Sequence, residues 1–198
     1  MEDNRNQGGR IGVFGGTFDP PHMAHLRMAK LLRDFASLEK VLWIPTRKSP
    51  HKSDRVVTPA SVRLKMVKEV VSGIKGHDVC DIEILRSGYS YTIDTLRALK
   101  KLYPGKDLVL IMGSDQFCEL SEWKESESLT DLVEICVLPR KGATVSSSLA
   151  DNLVLAPFEE LDISSSEIRN KIQQNLSVEH LVCKSVAKII EEEGLYQN

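Results

Sequence analysis

Six short and nearly unbroken apolar runs mark out this chain of 198 residues: Arg10–Phe14, Lys40–Ile44, Val79–Leu85, Leu108–Met112, Glu134–Leu138 and Asn152–Ala156. Near-continuous apolar segments of that length suit strands covered on both faces. Helical spacing fills the intervals. His25–Phe35 carries Leu26, Ala29 and Leu32 on one stripe, with Met28 beside it. Thr58 is a candidate cap with Pro59 at the first helical position and Gly73 as the stop, a helix that would bury Val62, Met66, Val70 and Ile74. Thr92–Tyr103 aligns Ile93, Leu96, Leu99 and Leu102, and helices over Ser165–Gln174 and Val178–Glu193 close the chain. Strand–helix alternation of this kind predicts an open, mostly parallel α/β sheet with helices on both faces. The length fits one domain over 1–198, with 1–9 as a flexible lead and 160–198 as a helical end.

Open α/β sheets bind ligands outside the carboxyl ends of their strands, at the point where strand order reverses. That rule singles out the loops after Phe14, Ile44 and Met112, and Pro45–Val57 is the longest irregular stretch. A net charge of −2 spreads no basic field, so nucleic acid is not an expected partner. The start, Met1–Gly9, is polar and unlike a secretory signal, and no run approaches the 18 or more consecutive apolar residues of a membrane span. Cys80, Cys118, Cys136 and Cys183 share no metal-ligand spacing and read as small reduced residues of a cytosolic protein.

Two segments carry phosphate chemistry. The first strand runs into Gly15-Gly16-Thr17-Phe18-Asp19-Pro20-Pro21-His22-Met23-Ala24-His25. Its glycines let backbone N–H groups approach a ligand, and the following helix start adds free donors and a partial positive charge. His22 and His25, three apart, would share a face there, so a phosphate could meet amides and two imidazoles together. No G-x-G-x-x-G run and no Walker lysine is present. Near the end, Ile163-Ser164-Ser165-Ser166-Glu167-Ile168-Arg169 places cap-forming serines before a helix, with capping-box spacing from Ser164 to Glu167. Arg169 offers a planar fork to an anion at the same helix end.

The first segment resembles the G-G-T-F-D-P-x-H-x-G-H signature of the nucleotidylyltransferase superfamily, most nearly that of the bacterial nicotinate mononucleotide adenylyltransferases, with Ala24 in place of glycine. The second resembles the family's I-S-S-T-x-I-R motif, Ser166 keeping the hydroxyl of the threonine. Ser90-Tyr91-Thr92-Ile93-Asp94-Thr95-Leu96 is similar to its S-Y-T-x-D-T-L. Gly113-Ser114-Asp115-Gln116-Phe117 is similar to G-A-D-x-F, and Pro45–Lys52 to P-x-x-x-P-P-H-K. Lys124 stands where many relatives have a second aromatic, and Arg140-Lys141-Gly142 where they often read R-P-G.

The resemblance implies a Rossmann-like fold and transfer of AMP from ATP to nicotinate mononucleotide, giving nicotinate adenine dinucleotide and pyrophosphate in NAD biosynthesis. It implies His22, His25 and Arg169 as catalytic groups. ATP would lie on Gly15, Gly16, Thr17, Phe18, His22, His25, Gly113, Asp115, Ile163, Ser164, Ser165 and Arg169. The mononucleotide would lie on Gly15, Thr17, Lys48, His51, Lys52, Tyr91, Thr92, Trp123 and Arg140. Trp123 offers a flat face to a pyridine ring, the Thr92 amide a donor to a carboxylate, and Arg47 a further charge for the acceptor phosphate. No protein metal site is expected, since Mg²⁺ would ride on the ATP phosphates. Other adenylyl- or cytidylyltransferases of the same fold remain alternatives, with phosphopantetheine or nicotinamide mononucleotide as acceptor. So does a non-catalytic nucleotide sensor. No membrane partner is expected, and the oligomeric state is left open.

Overall fold

The computed structural model describes residues 9–50, 58–139, 153–156 and 163–197. The apolar runs form one six-stranded parallel sheet, from β1 (Arg10–Gly16), β2 (Lys40–Pro45), β3 (His77–Val79), β4 (Asp107–Gly113), β5 (Glu134–Leu138) and β6 (Leu153–Leu155), in the order β3-β2-β1-β4-β5-β6. The strand order reverses between β1 and β4, which lie side by side with Phe14 opposite Ile111. The carboxyl ends of these two strands therefore bound the crevice in which such sheets bind ligands.

Helices α1 (Met23–Phe35), α2 (Ala60–Val71), α3 (Ile82–Leu85), α4 (Thr92–Leu102), α5 (Ser114–Cys118), α6 (Ser126–Leu132), α7 (Ser165–Gln173) and α8 (Lys184–Glu192) complete the described elements. Because both faces of the sheet are apolar, two cores form. On one face Phe14, Trp43, Val109 and Ile111 pack with Leu26, Ala29 and Leu32 of α1, Met66 and Val70 of α2, Ile168 of α7 and Ile189 of α8. On the other, Val13, Leu42, Leu110 and Val137 meet Ile93, Leu96 and Leu99 of α4, Phe117 of α5 and Leu129 of α6. Among the described residues no helix is long and apolar enough to cross a membrane.

Several expectations need correction. Val79–Leu85 is not a strand: the ladder spans only His77–Val79, and Ile82–Leu85 is a helical turn. Ala60 opens α2 with Pro59 as its cap residue, and its buried stripe is Arg63, Met66, Val67, Val70 and Val71, while Val62 and Ile74 are only partly buried. Leu102, expected on the buried stripe of α4, is 60% exposed, and Thr95 is buried in its helix instead. Val178–Val182 is a turn, so the last helix begins only at Lys184. Of the cysteines, Cys136 is buried but Cys118 is exposed.

Beneath the crevice, the Trp43 indole N–H donates to His77 Nδ1 at 3.2 Å. A protonated His77 could not accept that bond at the same atom. Burial above all, with the nearby Arg33 and Lys30 charges, holds the His77 pKa below its ordinary value, against the opposing pull of Asp34 and Asp78. The unfolded chain then takes up this proton more readily than the folded one. The stability this site contributes is complete above the unfolded value of about 6.5 and is lost as the pH falls through the lower folded value. The melting temperature is expected to drop between pH 7 and pH 5, and less steeply in His77→Gln, which keeps an acceptor but takes up no proton. Equal slopes in calorimetry would remove His77 as the cause.

Candidate functional site

At the end of β1, a Cβ added to Gly15 would meet nothing within 4 Å and would stand in the open crevice, so the absence of a side chain leaves room for a ligand against the backbone. One at Gly16 would come within 2.9 Å of the Phe18 ring. That ring explains the turn. Phe18 takes a left-handed φ of +50°, which for a bulky residue costs on the order of 1–2 kcal/mol. Its burial against Phe14 at 5.4 Å, Trp43 at 5.4 Å and His25 at 5.2 Å offsets that cost.

His22 is the N-cap residue of α1 and His25 lies one turn in. Their rings stack with centroids 3.7 Å apart, and the His22 backbone N–H donates to His25 Nδ1 at 3.2 Å. With Nδ1 accepting, neutral His25 carries its proton on Nε2, where it can donate. His22 is buried, so its imidazole acts with little water around it.

The second phosphate segment lies against the first. The Ser164 hydroxyl caps α7 by accepting the Glu167 amide at 3.1 Å. Ser165 Oγ donates to the Pro20 carbonyl at 2.9 Å, and Arg169 Nη1 donates to the Asp19 carbonyl at 2.8 Å while Nη2 reaches Ser166 Oγ at 3.1 Å. Segments separated by 145 and 150 residues are thereby joined. The end of the chain adds two more ties. The Met23 amide donates to the Leu181 carbonyl at 2.9 Å, and the Tyr196 hydroxyl donates to Asp19 Oδ1 at 2.6 Å. Burial, then the Asp19 charge, pushes the Tyr196 phenol far above its ordinary pKa, so it stays a donor. Asp19 Oδ2 accepts the Thr58 amide at 3.2 Å. Both oxygens of this acid are therefore engaged by the protein, and among the described residues no group of three His, Cys, Asp or Glu side chains is arranged to hold a metal ion.

A cavity of about 490 Å³ opens between these segments and the start of α4. Its lining includes Gly15, Gly16, Thr17, Phe18, His22, His25, Gly113, Asp115, Ile163, Ser164, Ser165 and Arg169, together with Tyr91, Thr92 and Trp123. Lys48 is not part of the lining: its ammonium lies over the Tyr89 ring, 4.4 Å from the centroid. Arg47 is turned away as well, donating to the carbonyls of Ile84 and Arg86 at 3.1 and 3.2 Å. His51, Lys52 and Arg140 lie outside the described residues.

The structure adds lining residues that the sequence reading passed over. Glu83, expected within a strand, is buried at the cavity wall and accepts from Thr95 Oγ1 at 2.7 Å, while Arg86 Nη2 donates to that hydroxyl at 2.8 Å. Burial raises the Glu83 pKa, against the hydrogen bonds from Thr95 and Ser90. Lys124 also lines the cavity, held by Asp94 at 3.1 Å and placed over the Tyr91 ring at 4.8 Å. Asp81-Ile82-Glu83-Ile84 keeps the alternation of a strand, so nothing local in the sequence placed Glu83 in a helical turn.

The chain is similar to known proteins along most of its length. Residues 13–171 match the family model described as cytidylyltransferase-like. A probable nicotinate-nucleotide adenylyltransferase of Desulfitobacterium hafniense is 39% identical, over 95% of this chain and 96% of its own length. One of Shouchella clausii is 38% identical, over 94% and 96%. Among solved structures, Plasmodium falciparum nicotinic acid mononucleotide adenylyltransferase, complexed with APC or with NaAD, superposes with a TM-score of 0.80 at 22% identity, covering 95% of this chain and 97% of the other. This structural likeness bears on the fold, which is the Rossmann-like α/β arrangement.

Proposed function

The chain belongs to the cytidylyltransferase-like family and, within it, to the nicotinate-nucleotide adenylyltransferases, and from that premise we propose that its cavity moves AMP from ATP to nicotinate mononucleotide, releasing pyrophosphate, with His22, His25 and Arg169 stabilising the transferring charge. The observation that carries this assignment of residues is the direct contact of Ser165 and Arg169 with the carbonyls of Pro20 and Asp19. It sets the N-terminus of α7 and a guanidinium opposite the stacked imidazoles, at one end of one cavity.

A mononucleotide phosphate is a competent nucleophile at neutral pH, so the chemistry needs alignment and charge neutralisation rather than a deprotonating base. The His25 Nε2 proton, the Arg169 fork and the amides at the α7 start can meet the non-bridging oxygens as charge develops. Mg²⁺ enters with ATP as part of the substrate, and the two Asp19 carboxylate oxygens already accept from Thr58 and Tyr196. On the acceptor side, Trp123 offers a face for the pyridine ring, the Thr92 amide a donor for its carboxylate, and Asp115 acceptors for ribose hydroxyls. Lys48, His51, Lys52 and Arg140 remain the basic groups proposed for the acceptor phosphate, Lys48 only if it leaves Tyr89. The cytosolic location belongs to the same proposal.

The test is pyrophosphate release from MgATP with nicotinate mononucleotide, nicotinamide mononucleotide and phosphopantetheine, each alone. Release with nicotinate mononucleotide, and a dinucleotide product by mass spectrometry, is expected. Release only with phosphopantetheine would move the chain to another branch of the fold. Release with none would leave a nucleotide sensor.

A further inference from the structure

Arg63 is 1% exposed, on the buried stripe of α2, among residues that are otherwise apolar. Its guanidinium makes three hydrogen bonds to backbone carbonyls, one in the turn after β1 and two in the connection from β2 to α2, near its start and at its end. Nη1 donates to Thr17 at 2.6 Å, Nη2 to Arg47 at 3.1 Å and Nε to Thr58 at 2.9 Å. Thr17 belongs to the turn that carries His22 and His25. Arg47 belongs to the loop after β2, whose backbone leads to the acceptor side: the Arg47 amide donates to Ser90 Oγ at 3.2 Å, and the Ser90 amide donates to the Lys48 carbonyl at 2.9 Å. Ser90 is followed directly by Tyr91 and Thr92 in the cavity wall. Three hydrogen bonds, from Arg63 to Thr17 and to Arg47 and from Arg47 to Ser90, thus connect the turn before the histidines with the Tyr91–Thr92 wall, beside the hydrogen bond from the Thr46 amide to the Gly16 carbonyl at 2.9 Å.

Burying a guanidinium costs several kcal/mol, and an apolar residue of similar volume would serve core packing at less expense. The cost is offset here by three charge-assisted bonds and by the nearby Asp19 charge. We propose that Arg63 is a positioning residue that fixes the separation of the two substrate-binding loops, and so the alignment of the attacking phosphate with the α-phosphorus, without touching either substrate. A planar fork with donors pointing three ways can span three carbonyls; a point-like ammonium cannot. Misplacement of reacting groups by about 1 Å can cost on the order of 10²-fold in rate. The two half-sites, each built from its own loop, should still bind.

This inference rests on the function proposed above, and the experiment separates the two. Arg63→Lys and Arg63→Met are compared with wild type for folded fraction at 25 °C, for separate affinities for MgATP and nicotinate mononucleotide by calorimetry, and for kcat per folded molecule. Both affinities are expected to stay within about threefold of wild type while kcat falls at least about tenfold in Arg63→Lys and further in Arg63→Met. A residue that only supports the fold would lower the folded fraction and leave kcat per folded molecule unchanged; that result overturns the proposal. Loss of MgATP affinity with normal kcat overturns it too, by making Arg63 a donor-side residue alone, and so does failure of both variants to fold. A wild-type chain with no turnover would sink the function and this inference with it, whereas an active wild type with an equally active Arg63→Lys variant sinks this inference alone.

Discussion

Replacing His22 by alanine is expected to lower kcat by roughly 10²–10³-fold, the usual loss for one group that stabilises developing charge in a sheltered site. His22 is buried beside the glycine turn and stacked on His25 at 3.7 Å. The stacked pair presents its N–H donors to the phosphates together. His25→Ala should cost a similar factor, because it removes both the Nε2 donor and the acceptor of the His22 amide. Since the rings act on one phosphate group, the double variant should lose far less than the product of the single losses. Steady-state kinetics on folded protein checks this. A single variant with wild-type kcat would remove that histidine from the mechanism.

Arg169→Ala is expected to raise the KM for ATP and lower kcat, with kcat/KM reduced by roughly 10²–10³-fold. The guanidinium does two things at once: it faces the cavity, and it ties α7 to the turn at Asp19. Arg169→Lys should recover only a small part, since an ammonium cannot hold the Asp19 carbonyl and grip a phosphate in the same plane. Unchanged kinetics in the alanine variant would end its phosphate role.

The sheet was legible because a strand covered on both faces must be apolar throughout, and five of the six runs were found where strands occur. Val79–Leu85 misled because a short apolar run does not distinguish strand from helical turn; β3 sits at the sheet edge and pairs through only three residues. The two phosphate segments were legible through their own glycines, histidines, serines and arginine. The resemblance implied that they meet on one ATP; the contacts of Ser165 and Arg169 with Pro20 and Asp19 were not legible, because they are made only by the folded chain. Arg63 and Tyr196 escaped for the same reason. Arg63 falls at helical spacing with Met66, Val67 and Val70, a pattern that would have placed it inside, yet nothing local says which carbonyls it would find. Lys48 shows the converse: the loop composition offered it to a phosphate, and the structure sets it on Tyr89.

If the two phosphate segments form one clamp, the acceptor phosphate attacks ATP directly. The stereochemical course at the α-phosphorus tests it most squarely, using ATP made chiral there with sulfur in place of one non-bridging oxygen. A single in-line displacement predicts inversion of configuration in the dinucleotide product. Retention would require two displacements through an AMP-bearing side chain, and would rule out direct attack.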